Sequence, residues 1–271
     1  MLVDRQELLQ IWATVKAAAN ENVDTPTVLL LASHNVDSIA ATAILGQLLE
    51  DDGIPYKVVP ILDYAELSQV YTNQMISASE LRSIFLINCG GILDLMGHLQ
   101  QALDEVGGDG PRQATMLPHP DCRWYVLDSH RPYALENIYS DEHNEGESNV
   151  YVIHDGEPNA DLDDIIAQLP ILFDASDGED SDDEDEPDAQ RRRVTLGEYS
   201  AMSPDSQRDR RRAVKRMSRR YYSSSWHGTA ASLLCYSLVQ VKRYAALWIA
   251  FCPERLAPCS RMPWWTIRLS L

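Results

Sequence analysis

Two short stretches carry the residue types that metal-assisted hydrolysis needs. Asp128, Ser129 and His130 follow one apolar run, and Asn35 and Asp37 follow another within Ser33-His34-Asn35-Val36-Asp37-Ser38. Carboxylate and imidazole suit a divalent cation such as Mn²⁺. A cation held by Asp128, His130, Asp37 and Asn35 would activate water against a phosphodiester. The same residues admit a plainer role, with Asp128 capping a turn and His130 hydrogen-bonded locally. Spacing alone leaves both readings open.

Such residues converge only if their chain segments end side by side. The first hundred and fifty residues alternate between helix and strand patterns. Leu8, Ile11, Trp12 and Val15 recur at helical spacing. TVLLLA (Thr27 to Ala32) is a continuous apolar run of the kind buried on both faces of a parallel sheet. A helix with Ile39, Ala43, Leu45 and Leu49 follows and stops near Gly53. YKVVPI (Tyr56 to Ile61) is a strand that Pro60 pushes towards a sheet edge, and Asp63 to Tyr71 is a short helix. SIFLIN (Ser83 to Asn88), a Cys89-Gly90-Gly91 turn, a helix from Ile92 to Leu103 and RWYVLD (Arg123 to Asp128) complete the series. Strands joined by helix-length connections predict an α/β fold, a parallel sheet flanked by helices. Ligands gather beyond the carboxyl ends of such strands, where Asn35, Asp37, Asn88, Asp128 and His130 all fall.

The chain has 271 residues, 45% of them hydrophobic, which is enough for a sizeable core. Asp4, Arg5 and Glu7 interrupt the start before a secretory apolar region forms, and Ala245 to Cys252 is too short to span a bilayer, so no membrane partner is expected. Cys89, Cys122, Cys235, Cys252 and Cys259 show no paired spacing and read as reduced thiols. The net charge of −18 is unevenly spread. DASDGEDSDDEDEPD (174–188) is strongly acidic and residues 174–190 are expected to be disordered, whereas Arg208, Arg210, Arg211, Arg212, Lys215 and Arg216 follow in a basic run that reads as a solvated helix. That run suits single-stranded DNA, nuclear import or neutralisation of the acidic run in cis. Ser176 and Ser181 sit among acids, as acid-directed kinases prefer. Order is expected to return at Trp226-His227-Gly228-Thr229, with Thr229 capping a helix through Ala231, Leu234, Leu238 and Val241. The HGT stretch is also a place where backbone N–H groups would meet a phosphate, or simply helix-start packing.

ASHNVDSIAATAIL (Ala32 to Leu45), FLINCGGILDL (Phe85 to Leu95), LDSHRP with NIYSD (Leu127 to Asp141), the acidic-then-basic insert and WHGTAAS (Trp226 to Ser232) occur in this order. In this the chain resembles the cell-division-cycle protein 45 family of replication factors, relatives of the RecJ-type DHH phosphoesterases, over roughly residues 25 to 245. The resemblance implies a DHH phosphoesterase-like N-terminal domain. It further implies a nuclear scaffold of the replicative helicase that bridges the MCM hexamer and the GINS complex.

The resemblance also bears on catalysis. Active phosphoesterases of the superfamily supply Asp-x-Asp in the first motif, where this chain has Asn35 and Asp37. They supply a carboxylate in the second, where it has Asn88, and Asp-His-His in the third, where it has Asp128-Ser129-His130. Two close divalent cations repel strongly and need several carboxylates to offset them. Only Asp37 and Asp128 remain, so a pseudo-enzyme is expected, with no cofactor and no metal at the vestigial positions Asn35, Asp37, Asn88, Asp128 and His130. A metal-dependent DHH-type phosphoesterase or exonuclease is the alternative, and an α/β adaptor unrelated to replication is a third reading.

The expected layout is a DHH-like domain over 1–155, a low-complexity insert over 156–220 that is largely disordered, a returning helical part over 221–250 and an aberrant tail over 251–271. Pro253, Pro258 and Pro263 would break any helix in that tail, which fits a frameshift, a retained intron or a truncation.

Overall fold

The computed structural model describes residues 1–3, 7–20, 25–107, 118–139, 149–154, 162, 165–173, 199 and 201–251, with side chains to Arg243 in the last helix. The acidic run, Ser176, Ser181 and residues 252–271 lie outside the described residues.

The apolar runs become strands because they can be covered on both faces. β2 (Val28–Ser33), β4 (Ser83–Ile87) and β5 (Arg123–Leu127) are buried along almost their whole length. With β1 (Leu2–Val3), β3 (Tyr56–Ile61) and β7 (Val150–Ile153) they form one sheet in the order β1-β7-β5-β4-β2-β3. Every pairing in it is parallel. The expected α/β architecture, a parallel sheet flanked by helices, is the one observed, and β3 with Pro60 is an edge strand. β7 and β1 leave no clear mark in the sequence, because strands of four and two residues carry little periodicity.

Alternate strand residues feed two cores. Leu29, Leu31, Ile84, Leu86, Trp124 and Val126 face one layer, where α3 (Tyr64–Val70), α4 (Leu95–Gly107) and the short α5 (Leu135–Ile138) pack. Val28, Leu30, Phe85, Ile87, Tyr125 and Leu127 face the other, beneath α1 (Leu8–Ala19), α2 (Val36–Asp51) and α8 (Ala231–Phe251). α2 departs from the expected stripe: Ile39 is 69% exposed and Ala43 is exposed, while Ser38, Ala41, Leu45, Leu48 and Leu49 are buried. The helix touches both the sheet and α8, so its buried arc is rotated from the line that hydrophobicity alone suggests.

Residues 165–173 and 201–220 are described inside the span assigned to the insert. α7 (Pro204–Tyr221) starts with Pro in its first turn and Ser203 as its cap, and its buried residues are Arg211, Val214 and Tyr221. Val214 clusters with Ile171 of α6 (Leu169–Leu172) and with Tyr199. The basic run is helical as read, but one flank is packed rather than solvated; so narrow a seam gives no visible apolar stripe. Among the described residues, no helix is long and apolar enough to cross a membrane.

Candidate functional site

β2, β4 and β5 are neighbours, so their carboxyl ends bring Asn35, Asn88 and Asp128 together. β2 leads into α2 on one face of the sheet while β4 and β5 lead to α4 and α5 on the other, so the strand ends meet at a switch point of the parallel sheet. Asn35 is the N-cap of α2, and its Oδ1 accepts from the Ser38 N–H at 2.7 Å. Asn88 leaves β4 with φ 53, a left-handed conformation that Asn tolerates better than most residues.

From that position the Asn88 amide links all three strand ends. Its Nδ2 donates to Asp37 Oδ2 at 2.6 Å and lies 3.3 Å from both Asn35 Oδ1 and Ser38 Oγ. Its Oδ1 accepts from the Ser129 N–H at 3.1 Å.

Asp37 reaches further, to the start of α8. Its carboxylate accepts from the Ala231 N–H at 2.8 Å, the Ser232 N–H at 3.1 Å and the Ser232 hydroxyl. A carboxylate there satisfies helix N–H groups that have no intrahelical partner and complements the helix dipole. Burial pushes the Asp37 carboxyl up, but the bonds from Ser232, Asn88 and the backbone outweigh it and hold the group below the usual carboxylate range. Asp37, not Thr229, therefore caps α8, through the Ala231 and Ser232 N–H groups. Gly228 N–H, within the same HGT stretch, donates to the Ser129 carbonyl at 2.8 Å.

Asp128 is fully buried. One oxygen accepts from the Gly91 N–H at 2.9 Å; the other accepts from the His130 N–H at 3.0 Å and lies 2.6 Å from His130 Nδ1. A Cβ on Gly91 would fall 2.8 Å from the Asp128 side chain, so only glycine allows that approach. Arg131 turns inward: its Nη1 donates to the Asp128 carbonyl at 2.6 Å, and its guanidinium lies 3.9 Å from the centre of the Tyr133 ring. The chain then forms β6 (His130–Arg131), paired antiparallel with β8 (Trp226–His227). The sequence pattern places WHGT at the start of a helix and misses this ribbon; the Trp-His dipeptide is its only trace.

The donor set suits a network of hydrogen bonds better than a dinuclear metal centre. Each remaining carboxylate already takes three or more protein hydrogen bonds, and the neutral Asn88 amide joins Asp37 to the Ser129 N–H that follows Asp128. Among the described residues, no group of three or more His, Cys, Asp or Glu side chains is placed to hold a metal ion. Cys89 and Cys235 flank the site, but burial pushes both thiols up to about 12, which keeps them protonated.

A family model named CDC45 matches residues 28–190. The chain belongs to the CDC45 family. Among curated relatives, the cell division control protein 45 homologue of Dictyostelium discoideum is 32% identical over 136 residues, which is 50% of this chain and 18% of that protein. The homologue of Schizosaccharomyces pombe is 28% identical over 165 residues, 61% of this chain and 22% of that protein. The chain thus spans about a fifth of the length of these CDC45 relatives. A crystal structure of CDC45 from Entamoeba histolytica matches with a TM-score of 0.44 and 24% identity, over 58% of this chain and 26% of that one.

The basic residues that the CDC45-like insert contributes are not equivalent. Arg208, Arg212 and Arg216 are exposed along one side of α7, Arg210 and Lys215 are half-buried, and Arg211 is buried. Arg210 donates to Gln168 Oε1 at 2.7 Å. Arg211, buried on the side of the helix that faces the body, is set apart from the exposed Arg208, Arg212 and Arg216.

Proposed function

We propose that this chain serves as a non-catalytic replication initiation and elongation factor in the nucleus, part of the scaffold that joins the MCM hexamer to the GINS complex. The observation that carries this reading is the use of both carboxylates for structure. Asp37 fastens α8 to the strand ends, and Asp128 holds Gly91 and the turn into β6. A hydrolase needs those oxygens for cations that lower the pKa of bound water. Here a neutral amide does the joining, and it does so without the charge repulsion that a cation would have to offset. What the strand ends retain is rigidity, which suits a surface that partners dock on.

The same chain offers an exposed cationic stripe, Arg208, Arg212 and Arg216, whose charge suits an importin, the acidic run in cis or a single-stranded DNA backbone. The test is capture from nuclear extract on the immobilised chain. MCM and GINS subunits retained at moderate salt support the scaffold. Their absence, together with Mn²⁺-dependent degradation of single-stranded DNA that disappears in Asp128→Ala, would replace it with the phosphoesterase reading.

A further inference from the structure

Two imidazoles meet across the ribbon, one of them, His130, tied to the strand ends through Asp128. His130 and His227 are direct cross-strand partners, with ring centroids 5.0 Å apart and planes at 57°. The Nδ1 of His130 faces Asp128 Oδ1 at 2.6 Å, which leaves Nε2 as its outward nitrogen, and 41% of the His130 side chain is exposed. His227 is exposed, and among the described residues neither of its ring nitrogens meets a hydrogen-bond partner.

We propose that His130 and His227 form a two-imidazole site for a divalent transition-metal ion, with Asp128 orienting His130. The chemistry is that of borderline-soft cations such as Zn²⁺, Ni²⁺ and Cu²⁺, which imidazole suits, and not that of Mg²⁺ or Ca²⁺. The spacing fits. A Zn–N bond of about 2.0–2.1 Å and a tetrahedral angle put the centres of two chelating imidazoles about 5 Å apart, the separation observed. The outer partner fits as well: ligating histidines generally pass their other nitrogen to a carboxylate, which fixes the ring and strengthens it as a ligand. Asp128 is fully buried and is itself held by the Gly91 and His130 N–H groups, so His130 is aimed before any ion arrives.

The backbone contributes rigidity. Gly228 N–H bonds the Ser129 carbonyl at 2.8 Å, and a Cβ at Gly228 would fall 2.6 Å from the Arg131 guanidinium, which a side chain there would have to displace. The buried Arg131 cation beside His130 opposes a metal, and the Asp128 carboxylate offsets it. With two protein ligands the ion keeps open positions for water or for a side chain of a docking partner. This site needs neither Asn35 nor Asp37 and does not depend on the scaffold reading.

The test is calorimetric titration of the metal-free chain with ZnCl₂ at about pH 7.5, where an ordinary imidazole is mostly neutral. One Zn²⁺ per chain is expected, undisturbed by excess Mg²⁺ and weakened at least about tenfold in His227→Gln and in His130→Gln. No saturable binding, or equal affinity in both variants, overturns the proposal. An independent arm uses the unaltered chain. Substoichiometric Cu²⁺ is expected to broaden the ring proton signals of His130 and His227 together before those of His34, His98, His119, His143 and His154. Broadening that begins at any of those five and leaves His130 and His227 sharp overturns it too.

Discussion

Asn88 Nδ2 lies 2.6 Å from Asp37 Oδ2, the closest contact between the end of β4 and the first turn of α2. The amide donates where a second carboxylate would only repel. Asn88→Asp, which changes shape hardly at all, is therefore expected to cost about 1–3 kcal/mol at neutral pH, because two carboxylate oxygens, one of them buried, would face each other without a proton between them. The loss should shrink on acidification, as one of the pair takes up a proton. Urea unfolding at pH 7 and at mildly acidic pH measures both parts. A variant as stable as the parent at neutral pH would show that the contact is dispensable.

Much of this arrangement is legible in the amino-acid sequence. The runs Thr27 to Ala32, Ser83 to Asn88 and Arg123 to Asp128 are apolar, short and separated by helix-length connections, and that alone predicts a parallel sheet with Asn35, Asn88 and Asp128 at adjoining ends. The partners of those residues are not legible. Asp37 caps a helix that begins 194 residues later in the chain, and sequence spacing carries no signal for such a contact. The ribbon of β6 and β8 is hidden for the same reason, since each strand has two residues and neither alternates. The docked side of α7 is hidden by chemistry: Val214 and Tyr221 are too few among arginines to register as a stripe.

Asp37→Asn tests the cap from the other side. The carboxylate binds the first N–H groups of α8, and its loss is expected to cost about 1 kcal/mol, with faster amide exchange at Ala231 and Ser232. Its pKa lies below the unfolded value of about 4. A depressed carboxyl contributes stability that is present above the unfolded pKa and is lost as the pH falls through the folded one. The stability gap between parent and Asp37→Asn should thus be constant near neutrality and close below about pH 4. A gap that persists unchanged in acid would assign Asp37 a purely steric role.

Arg208, Arg212 and Arg216 form the exposed stripe of α7. If they meet the backbone of single-stranded DNA, each neutralised phosphate releases about 0.7 of a counterion, so replacing all three with Gln should flatten the logarithmic salt dependence of binding by about two units. Fluorescence anisotropy over a salt series reads that slope. Arg211→Gln is expected to leave the slope alone and to lower stability instead, since that side chain faces inward. An unchanged slope in the triple variant would exclude DNA contact along this face.

Asp52 fastens α1, α2 and α8 to one another away from the strand ends. Its carboxylate accepts from Trp12 Nε1 at 2.7 Å, Lys242 Nζ at 2.7 Å and Lys16 Nζ at 3.2 Å, and only 11% of its side chain is exposed. Burial raises its pKa, but the bonds from Lys242, Trp12 and Lys16 and the charge of Lys242 outweigh that and bring the group below its ordinary range. Asp52→Ala removes the acceptor from a buried indole N–H and should cost about 1–3 kcal/mol, whereas Asp52→Asn keeps an acceptor and should cost less. The part due to Lys16 and Lys242 is screened by salt, so the difference between the two variants should persist in about 1 M NaCl while the parent loses some of its margin over Asp52→Asn. Urea denaturation of all three chains at low and high salt provides the measurement. Equal stability of Asp52→Ala and Asp52→Asn would mean that the indole finds water instead, and that the junction of the three helices rests on apolar packing alone.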